Sequence, residues 1–554
     1  TIMGIDTVVA VFGGRGEAIG MHAHYTGRGS VYSDNMTNIM QMQYDEAKAA
    51  ALELFRRDKA TTLIVEPLED EEIDTTGENS SYEGASQGDT LMTGGDYYAK
   101  LSSDEIASAY QSPDMTKLEE FYLANGVRVV LMPHSQAPIV QANLLLGGGS
   151  QFGPYGEYNF ASRFSDWEEE DVLKIAGTRV SVGTGTEFGV GYRVPAGNLD
   201  GAFWFLREYV EGLKPNTAGK FSWMRSQRSG VRGAWSSQSW HQSRALNTHL
   251  YGDHYVGHTR SFEDVQEWDT WGQDQIRAYL NSRVHPDNAT LIVVGNLDVT
   301  EARDLAVKYF SGWEGRADVV KEGLKDLSAP PMPSGKKVLI YDSPKKTQTQ
   351  TNQTCRLNYE GDADRHAISV LSELVFTRVF SQLRIKEGLA YSPGGYAQNR
   401  DKYGLMGFSS LAVNSGVGRT LEFFDEAIRE MENGEFDEGI LNQAKLRKSR
   451  GDGVSGQSTG QMMSKLTAVV ANERDWSAVR DMGKDYAAVT KERLQRLTKG
   501  CAENSIVTLV GPKDIIIPQL EEKGIEYEVV DWKTAGDEIL AKYDPKAAKK
   551  KAKK

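Results

Sequence analysis

The chain has 554 residues, of which 39% are apolar and 25% charged, and its net charge is −14. This length predicts three or four globular domains with enough apolar residues for separate cores. The acidic balance argues against nucleic-acid binding, which needs a basic face, and the lack of any run of about 18 apolar residues argues against a membrane span.

A helical pattern, a polar turn and an apolar strand follow one another near the N-terminus. The helix is predicted at Asp45–Phe55 and the strand at Ala60–Val65. The same order recurs twice, and the two recurrences end in the strands Ala289–Gly295 and Ser505–Gly511. The centres of the three strands are separated by 229 and then 216 residues. A repeat of this length predicts two complete units and one truncated unit, residues 1–67, whose beginning is absent.

Two linkers are predicted between these units. At 68–116 the chain is acidic: nine acidic residues and no Lys or Arg lie between Glu66 and Thr90. Such a composition buries too little apolar surface to offset the entropy of ordering. At 314–337 the prolines of Ala329–Pro333 can neither donate to a sheet nor continue a helix.

The first complete unit, residues 117–313, opens with a predicted hairpin. Asn125-Gly126 separates two apolar runs, and this dipeptide favours a tight turn because both positions tolerate positive φ. A strand at Ile139–Leu146 follows, and Ala289–Gly295 closes the unit.

The second complete unit, residues 338–533, opens with the strands Val338–Tyr341 and Gln348–Leu357. Apolar residues then recur every three or four positions from Ile368 to Leu383, which predicts one face of a long helix. Two further helices are predicted, at Thr420–Asn433 and Asp437–Lys448. This order of elements predicts an α+β fold, with helices on one face of each mixed or antiparallel sheet.

Residues 534–554 are predicted to form a basic tail. Six lysines follow from Lys546 onward, and without this run the net charge would be −20. Such a run is typical of a solvated terminus, and a docking arm for an acidic partner is the alternative.

One segment carries a motif of recognisable chemistry. Residues Phe380–Ser392 read Phe-Ser-Gln-Leu-Arg-Ile-Lys-Glu-Gly-Leu-Ala-Tyr-Ser. This resembles the Leu-Arg-x-x-x-Gly-Leu-Ala-Tyr-Ser signature in the non-metal half of the M16 (pitrilysin/insulinase-like) zinc metallopeptidases. Asn125–Leu131 and Asn288–Gly295 resemble the opening and closing strands of an M16 domain. The resemblance extends over nearly the whole chain apart from the linkers and the tail.

The resemblance implies a clamshell of four such domains in two halves around a bound peptide. One half holds zinc through His-x-x-Glu-His, and the other supplies an Arg and a Tyr, here Arg384 and Tyr391. A guanidinium and a phenol can donate hydrogen bonds to substrate carbonyls and to the charge that develops during hydrolysis. We expect Arg384 to end the long helix, Gly388 to break it and Tyr391 to begin the next strand. Leu389 and Tyr396 are further candidates for lining the peptide site.

A zinc motif is missing from this chain, because His-x-x-Glu-His occurs nowhere in it. The resemblance places Asn159, Ser162 and Arg163 where the first His, the Glu and the second His would stand. A guanidinium repels a metal cation, and no glutamate lies at 223–234, where the distal ligand is expected. We therefore expect no metal in this chain and zinc in the complementary half.

The remaining histidines are weaker candidates for a metal site. His254 and His258 have the helical i, i+4 spacing, but the neighbouring glycines indicate a loop. His22 and His24 lack a third ligand nearby. His366, at the start of the long helix, is expected to be exposed.

Two cysteines, Cys355 and Cys501, allow one disulfide at most and no disulfide framework. Cys355 lies on a predicted strand, where a core residue is favoured over a nucleophile. The sequence does not specify the compartment; a periplasmic or secreted location is favoured over the cytoplasm.

These features predict the substrate-binding half of an M16-type zinc metallopeptidase. Its partners would be a peptide substrate and the zinc-bearing half, in an upstream segment or a separate chain. This chain alone is not expected to be a complete enzyme. The alternative is a non-catalytic M16-like scaffold or peptide-binding subunit, and Arg384 and Tyr391 would then pair and pack with neighbours.

Overall fold

A computed structural model describes most of the chain from residue 95 onward. The described residues are 95–134, 137–147, 149, 177–183, 187–212, 234–257, 278, 282–314, 327–400 and 402–543, together with 20–21, 23–25, 27, 41–56, 58 and 60–61. None of the helices in this described part has the length and apolar character that crossing a bilayer requires.

The first sheet belongs to the first complete unit. Its strands are β1 (Glu119–Tyr122), β2 (Arg128–Pro133), β3 (Ile139–Gly147), β4 (Thr178–Gly183), β5 (Glu187–Pro195) and β6 (Ala289–Gly295). They lie in the order β1-β2-β6-β3-β5-β4. The pair β2–β6 is parallel and the other pairs are antiparallel, so the sheet is mixed.

The second sheet repeats this topology. Its strands are β7 (Lys337–Asp342), β8 (Gln348–Leu357), β9 (Gly394–Arg400), β10 (Tyr403–Val413), β11 (Ile506–Gly511) and β12 (Glu528–Val529). In the order β12-β7-β11-β8-β10-β9, the strands β7, β11, β8, β10 and β9 take the places of β2, β6, β3, β5 and β4. The α+β class predicted from the sequence is confirmed, and the two complete units carry matching sheets. The truncated unit at 1–67 stays a prediction.

Helices cover both sheets. In chain order they are α1 (Tyr44–Leu54), α2 (Gly95–Ala99), α3 (Ser103–Ser108), α4 (Leu199–Gly212), α5 (Gln238–Tyr251), α6 (Val299–Phe310), α7 (Asp364–Val379), α8 (Val417–Asn433), α9 (Glu438–Ser455), α10 (Thr459–Ala471), α11 (Ser477–Arg480), α12 (Met482–Ala487), α13 (Lys491–Thr498), α14 (Lys513–Glu522) and α15 (Trp532–Tyr543). The predicted helices at 420–433 and 437–448 correspond to α8 and α9.

In each complete unit, one helix packs against the sheet of the other unit. Helix α10 of the second unit places Met462 and Leu466 in one cluster with Val130 and Ile292 of the first sheet. Helix α5 of the first unit packs against the second sheet through Leu250 and Tyr251, beside Tyr341, Tyr403 and Val510. Because both faces of the sheets are covered, strands such as β6 read as continuous apolar runs rather than alternating ones.

The predicted hairpin turn forms at Asn125-Gly126, although Gly126 and not Asn125 has a positive φ. Tyr122 pairs with Arg128, and Gly126 has φ +97°, a conformation that glycine adopts at little cost. The side-chain nitrogen of Asn125 donates to the carbonyls of Phe310 and Trp313 at 2.7 and 2.8 Å. The turn therefore also satisfies backbone oxygens at the end of α6.

Part of the predicted acidic linker is packed. Within residues 95–117, Ile106 and Tyr110 are buried. The hydroxyl of Tyr110 donates to the carbonyl of Val479 at 2.8 Å, and Ser449 donates to the carbonyl of Ile106 at 2.8 Å. This stretch therefore packs on the second unit, whereas residues 68–94 lie outside the described residues. The six domain boundaries given above remain predictions.

Cys355 and Cys501 form a disulfide that joins β8 to the turn after α13. Both cysteines are 1% exposed and lie in the core of the second unit. Cys355 is thus a core residue, as its place on a strand suggested, and the one bridge that the cysteine count allows is present.

Candidate functional site

The long helix of the second unit changes its winding where the motif begins. Helix α7 buries the stripe Ile368, Leu371, Val375 and Val379, and it continues as a π-helix at Phe380–Lys386. The amide of Glu387 donates to the carbonyl of Gln382 at 2.9 Å, which is the wider i to i+5 spacing of such a turn. π-turns are rare and occur frequently at functional sites.

Gly388 ends this π-turn. Its φ of +63° lies in the left-handed region, which disfavours every residue that has a Cβ. The amide of Ala390 then donates to the carbonyl of Leu383 at 3.2 Å, so the chain folds back on the turn. This reversal brings Tyr391 next to Arg384.

Gly388→Ala is expected to destabilise the second unit by about 1–2 kcal/mol, because alanine must adopt the left-handed conformation. Urea unfolding of the purified chain measures this loss. Gly451→Ala is the matched control: Gly451 lies inside α9 with open space around its Cα, so alanine there should add about 0.5–1 kcal/mol. Equal effects of the two substitutions would show that the left-handed turn is not required.

Arg384 and Tyr391 contact each other at the surface. The guanidinium carbon lies 4.2 Å from the centre of the Tyr391 ring, and Nη1 donates to the Tyr391 carbonyl at 2.5 Å. On its other side the guanidinium lies 5.2 Å from the ring of Phe380, which stacks on Phe376 at 5.8 Å. We call these four residues, Phe376, Phe380, Arg384 and Tyr391, the Arg384 patch.

The Arg384 patch is accessible and positively charged. Tyr391 is 65% and Phe376 46% exposed. Among the described residues no carboxylate forms an ion pair with Arg384. Arg384 itself is half-buried between these rings. A cation in this position, with guanidinium donors still available, is suited to binding a peptide through its carbonyls and side chains.

Ion pairs behind the patch fix the π-turn to α8. The Glu387 carboxylate accepts hydrogen bonds from Arg419 at 2.8 Å and from the side-chain amide of Gln382 at 2.6 Å. Arg419 also donates to Glu426 at 2.9 Å, and these carboxylates raise the pKa of its guanidinium above the usual range. Two nitrogens of Arg378 bind the two carboxylate oxygens of Glu430, both at 2.6 Å. The turn that carries Arg384 is therefore held by several charge-assisted bonds.

One expectation from the sequence differs from the structure. Tyr391 does not begin a strand: it precedes β9 by three residues, because the chain is still reversing after Gly388. The hydroxyl of Tyr396 lies 3.3 Å from that of Thr354, and partly buried Leu389 packs against the core of the second unit. Their role in lining a peptide site stays a prediction.

The residues of the degenerate zinc motif, Asn159, Ser162 and Arg163, lie outside the described residues, as does nearly all of 223–234. Across the part of the chain that the structure describes, no three His, Cys, Asp or Glu side chains lie close enough to hold a metal. His254 lies beside a short 3-10 turn, with its Nε2 3.0 Å from the hydroxyl of Ser328. Its burial lowers its pKa.

Sequence reasoning missed Phe376 and Phe380. Both lie off the buried stripe of α7 and four positions apart, which puts them on one exposed side of the helix. Aromatic residues outside an amphipathic stripe, next to a functional motif, were the signal that could have identified them.

Comparison with protein families gives one match that includes this site. Residues 270–448 match the family profile described as the peptidase M16 inactive domain, and this range includes the whole π-turn and Tyr391. No curated protein matches the chain by sequence.

Several solved structures share the fold. A protease from Helicobacter pylori is 14% identical with a TM-score of 0.60, over 72% of this chain and 100% of that one. A peptidase M16 inactive domain from Pseudomonas fluorescens is 15% identical with a TM-score of 0.60, over 71% and 98%. The periplasmic protease PqqL from Escherichia coli is 14% identical with a TM-score of 0.57, and the match covers 78% of this chain but 50% of PqqL.

Proposed function

We propose that this chain, whose residues 270–448 match the peptidase M16 inactive domain, is the substrate-binding half of an M16-type zinc metallopeptidase. The observation that supports this proposal best is the Arg384 patch, in which half-buried Arg384 contacts exposed Tyr391 on a π-turn held by ion pairs inside the matched range.

The proposed role of the patch is to hold and orient a peptide. Arg384 would donate from its guanidinium to a carbonyl of the substrate, and the Tyr391 hydroxyl would donate to the oxygen on which charge develops. The aromatic faces of Phe376 and Phe380 would pack against an apolar side chain of the peptide. Zinc bound in the complementary half would supply the Lewis acid and the activated water.

The disulfide supports an oxidising compartment for this function. Disulfides persist in periplasmic and secreted proteins and are rare in reducing cytosol. Cys355 and Cys501 are bonded in the core of the unit that carries the patch. A periplasmic or secreted location therefore fits the chain better than a cytoplasmic one.

The alternative is a scaffold or peptide-binding subunit without a role in catalysis. The missing His-x-x-Glu-His motif fits this alternative as well as it fits the peptidase half. The exposure of Tyr391 and the lack of a carboxylate partner for Arg384 among the described residues favour the peptidase, because a scaffold has no need of this pair.

Reconstitution separates the two possibilities. The His-x-x-Glu-His half is assayed for cleavage of a fluorogenic peptide, alone and after addition of this chain. If this chain is the substrate-binding half, adding it should raise kcat/KM severalfold, and the rate should stop rising at one copy of this chain per His-x-x-Glu-His half. A complex that forms without any gain in rate would support the scaffold and contradict the proposal.

A further inference from the structure

A polar cavity of about 290 Å³ lies in the helical layer of the second unit. It is bordered by α7, α9, α10 and α12, with Asn399 of β9 at one wall. Arg365, Lys465 and Arg474 line it, and Asp452 is the one carboxylate among the lining residues. A cluster of cationic side chains is unusual in a chain whose net charge is −14.

Arg474 is the most deeply buried of these cations. Its side chain is 9% exposed, and its Nη2 lies 2.6 Å from a carboxylate oxygen of Asp362, which is outside the lining. Its Nε is buried without a hydrogen-bond partner among the described residues. Arg365 lies 3.8 Å from the same Asp362, and its Nε likewise has no partner there. Two guanidinium donors at this cavity are therefore unsatisfied, which is costly for buried polar groups.

Lys465 adds a third positive charge. Its ammonium donates to the backbone carbonyl of Asp452 at 2.6 Å and lies 5.2 Å from the ring of Tyr110. Burial lowers its pKa, although the charge of Asp452 opposes this effect. The carboxylate of Asp452 instead accepts a hydrogen bond from the hydroxyl of Tyr486. No described carboxylate forms an ion pair with Lys465.

The rest of the lining combines polar side chains with apolar ones, among them Val469, Val479 and Met482. His366, expected to be exposed, is 15% exposed and lies 3.7 Å from Asp485, and burial in this layer lowers its pKa. Ser369 and Ser464 also line the cavity. The side-chain oxygen of Asn399 is buried without a partner among the described residues, so an acceptor is available beside the cationic donors.

We propose that this cavity binds a small oxyanion, a carboxylate or a phosphate, between Arg365, Lys465 and Arg474. Water alone would satisfy the orphaned N–H groups but not the one positive charge by which Arg365, Lys465 and Arg474 exceed the carboxylates of Asp362 and Asp452. An oxyanion supplies both the charge and the acceptor atoms, and guanidinium groups match its geometry. A hydroxyl or N–H group on the same molecule would find an acceptor in the Asn399 oxygen.

The cavity is separate from the Arg384 patch. Arg365 and Arg384 lie on the same continuous helix, and at 1.5 Å per residue they are roughly 28 Å apart. The proposal therefore does not rest on the peptide-binding function.

Calorimetric titration of the purified chain tests it, with inorganic phosphate and succinate as probes at constant ionic strength in a chloride buffer. We expect saturable binding of at least one probe with one site per chain, and the probe that binds identifies the source of the oxyanion. Lys465→Met should weaken that binding at least tenfold, because it removes one of the three charges. Lys484→Met is the matched control, since Lys484 is 77% exposed and does not line the cavity, and it should bind like the parent.

A second variant distinguishes a specific loss of binding from a loss of the fold. Ser464 lies on the exposed side of α10 at the cavity lining, so Ser464→Phe should fill the cavity without removing a charge. It should also weaken binding at least tenfold while circular dichroism stays unchanged. Failure of both probes to bind, or equal affinity in the parent, Lys465→Met and Ser464→Phe, would overturn the proposal.

Discussion

Arg384→Ala should lower kcat/KM for peptide cleavage by the reconstituted enzyme by about 10²–10³-fold, the loss typical of a donor to developing charge. The guanidinium has no carboxylate partner in the described structure, so its removal breaks contacts with substrate rather than an ion pair that supports the fold. Initial rates at varied peptide concentration measure the effect, and the unfolding free energy should change by less than about 1 kcal/mol.

Matched variants sharpen this result. Arg400→Ala removes an exposed guanidinium that is bonded to Gln398 on β9, outside the patch, and should leave the rate unchanged. Tyr391→Phe keeps the ring beside Arg384 and removes the hydroxyl, so it should lower kcat more than it raises KM. Rates of Arg384→Ala equal to those of Arg400→Ala would contradict the role assigned to Arg384.

Loss of the disulfide is expected to have the largest effect on stability. The bond closes a loop of 146 residues, and the double variant Cys355→Ala/Cys501→Ala should lose roughly 2–5 kcal/mol because its unfolded chain is less restricted. Urea unfolding with and without dithiothreitol measures the difference. Both cysteines are 1% exposed, so reduction of the folded parent should be slow and should require local opening.

The double variant also provides the control for this prediction. Its urea midpoint should not respond to dithiothreitol, whereas the midpoint of the parent should fall to that of the variant once the bond is reduced. A parent whose midpoint is the same with and without reductant would show that the bond contributes nothing to stability.

Local chemistry made much of both complete units predictable. Gly126 and Gly388 occupy left-handed positions that the sequence indicated as breaks, and the apolar spacing from Ile368 marked the buried face of α7. The strands β6 and β11 were evident as apolar runs. Each of these features depends on residues close together in the chain, so it can be predicted from the sequence without knowledge of distant contacts.

Features that depend on distant contacts were not predictable. The amphipathic stripes of α5 and α10 do not specify which sheet they cover, and each covers the sheet of the other unit. The burial of His366 depends on Tyr486, whose ring lies 5.0 Å away but which is 120 residues distant in sequence. The π-turn leaves no trace in the apolar pattern because it widens a helix whose periodicity continues into Leu383.

Photocrosslinking from position 391 tests the central claim most directly. The photoreactive residue p-benzoylphenylalanine replaces Tyr391 in one sample and Tyr122 in another, since Tyr122 is 64% exposed on the first sheet, away from the patch. Both samples are irradiated with a labelled peptide substrate and the zinc-bearing half. We predict strong labelling from position 391, competed by unlabelled peptide, and background labelling from position 122. Equal labelling from both positions would contradict the assignment of the Arg384 patch as the peptide-binding surface.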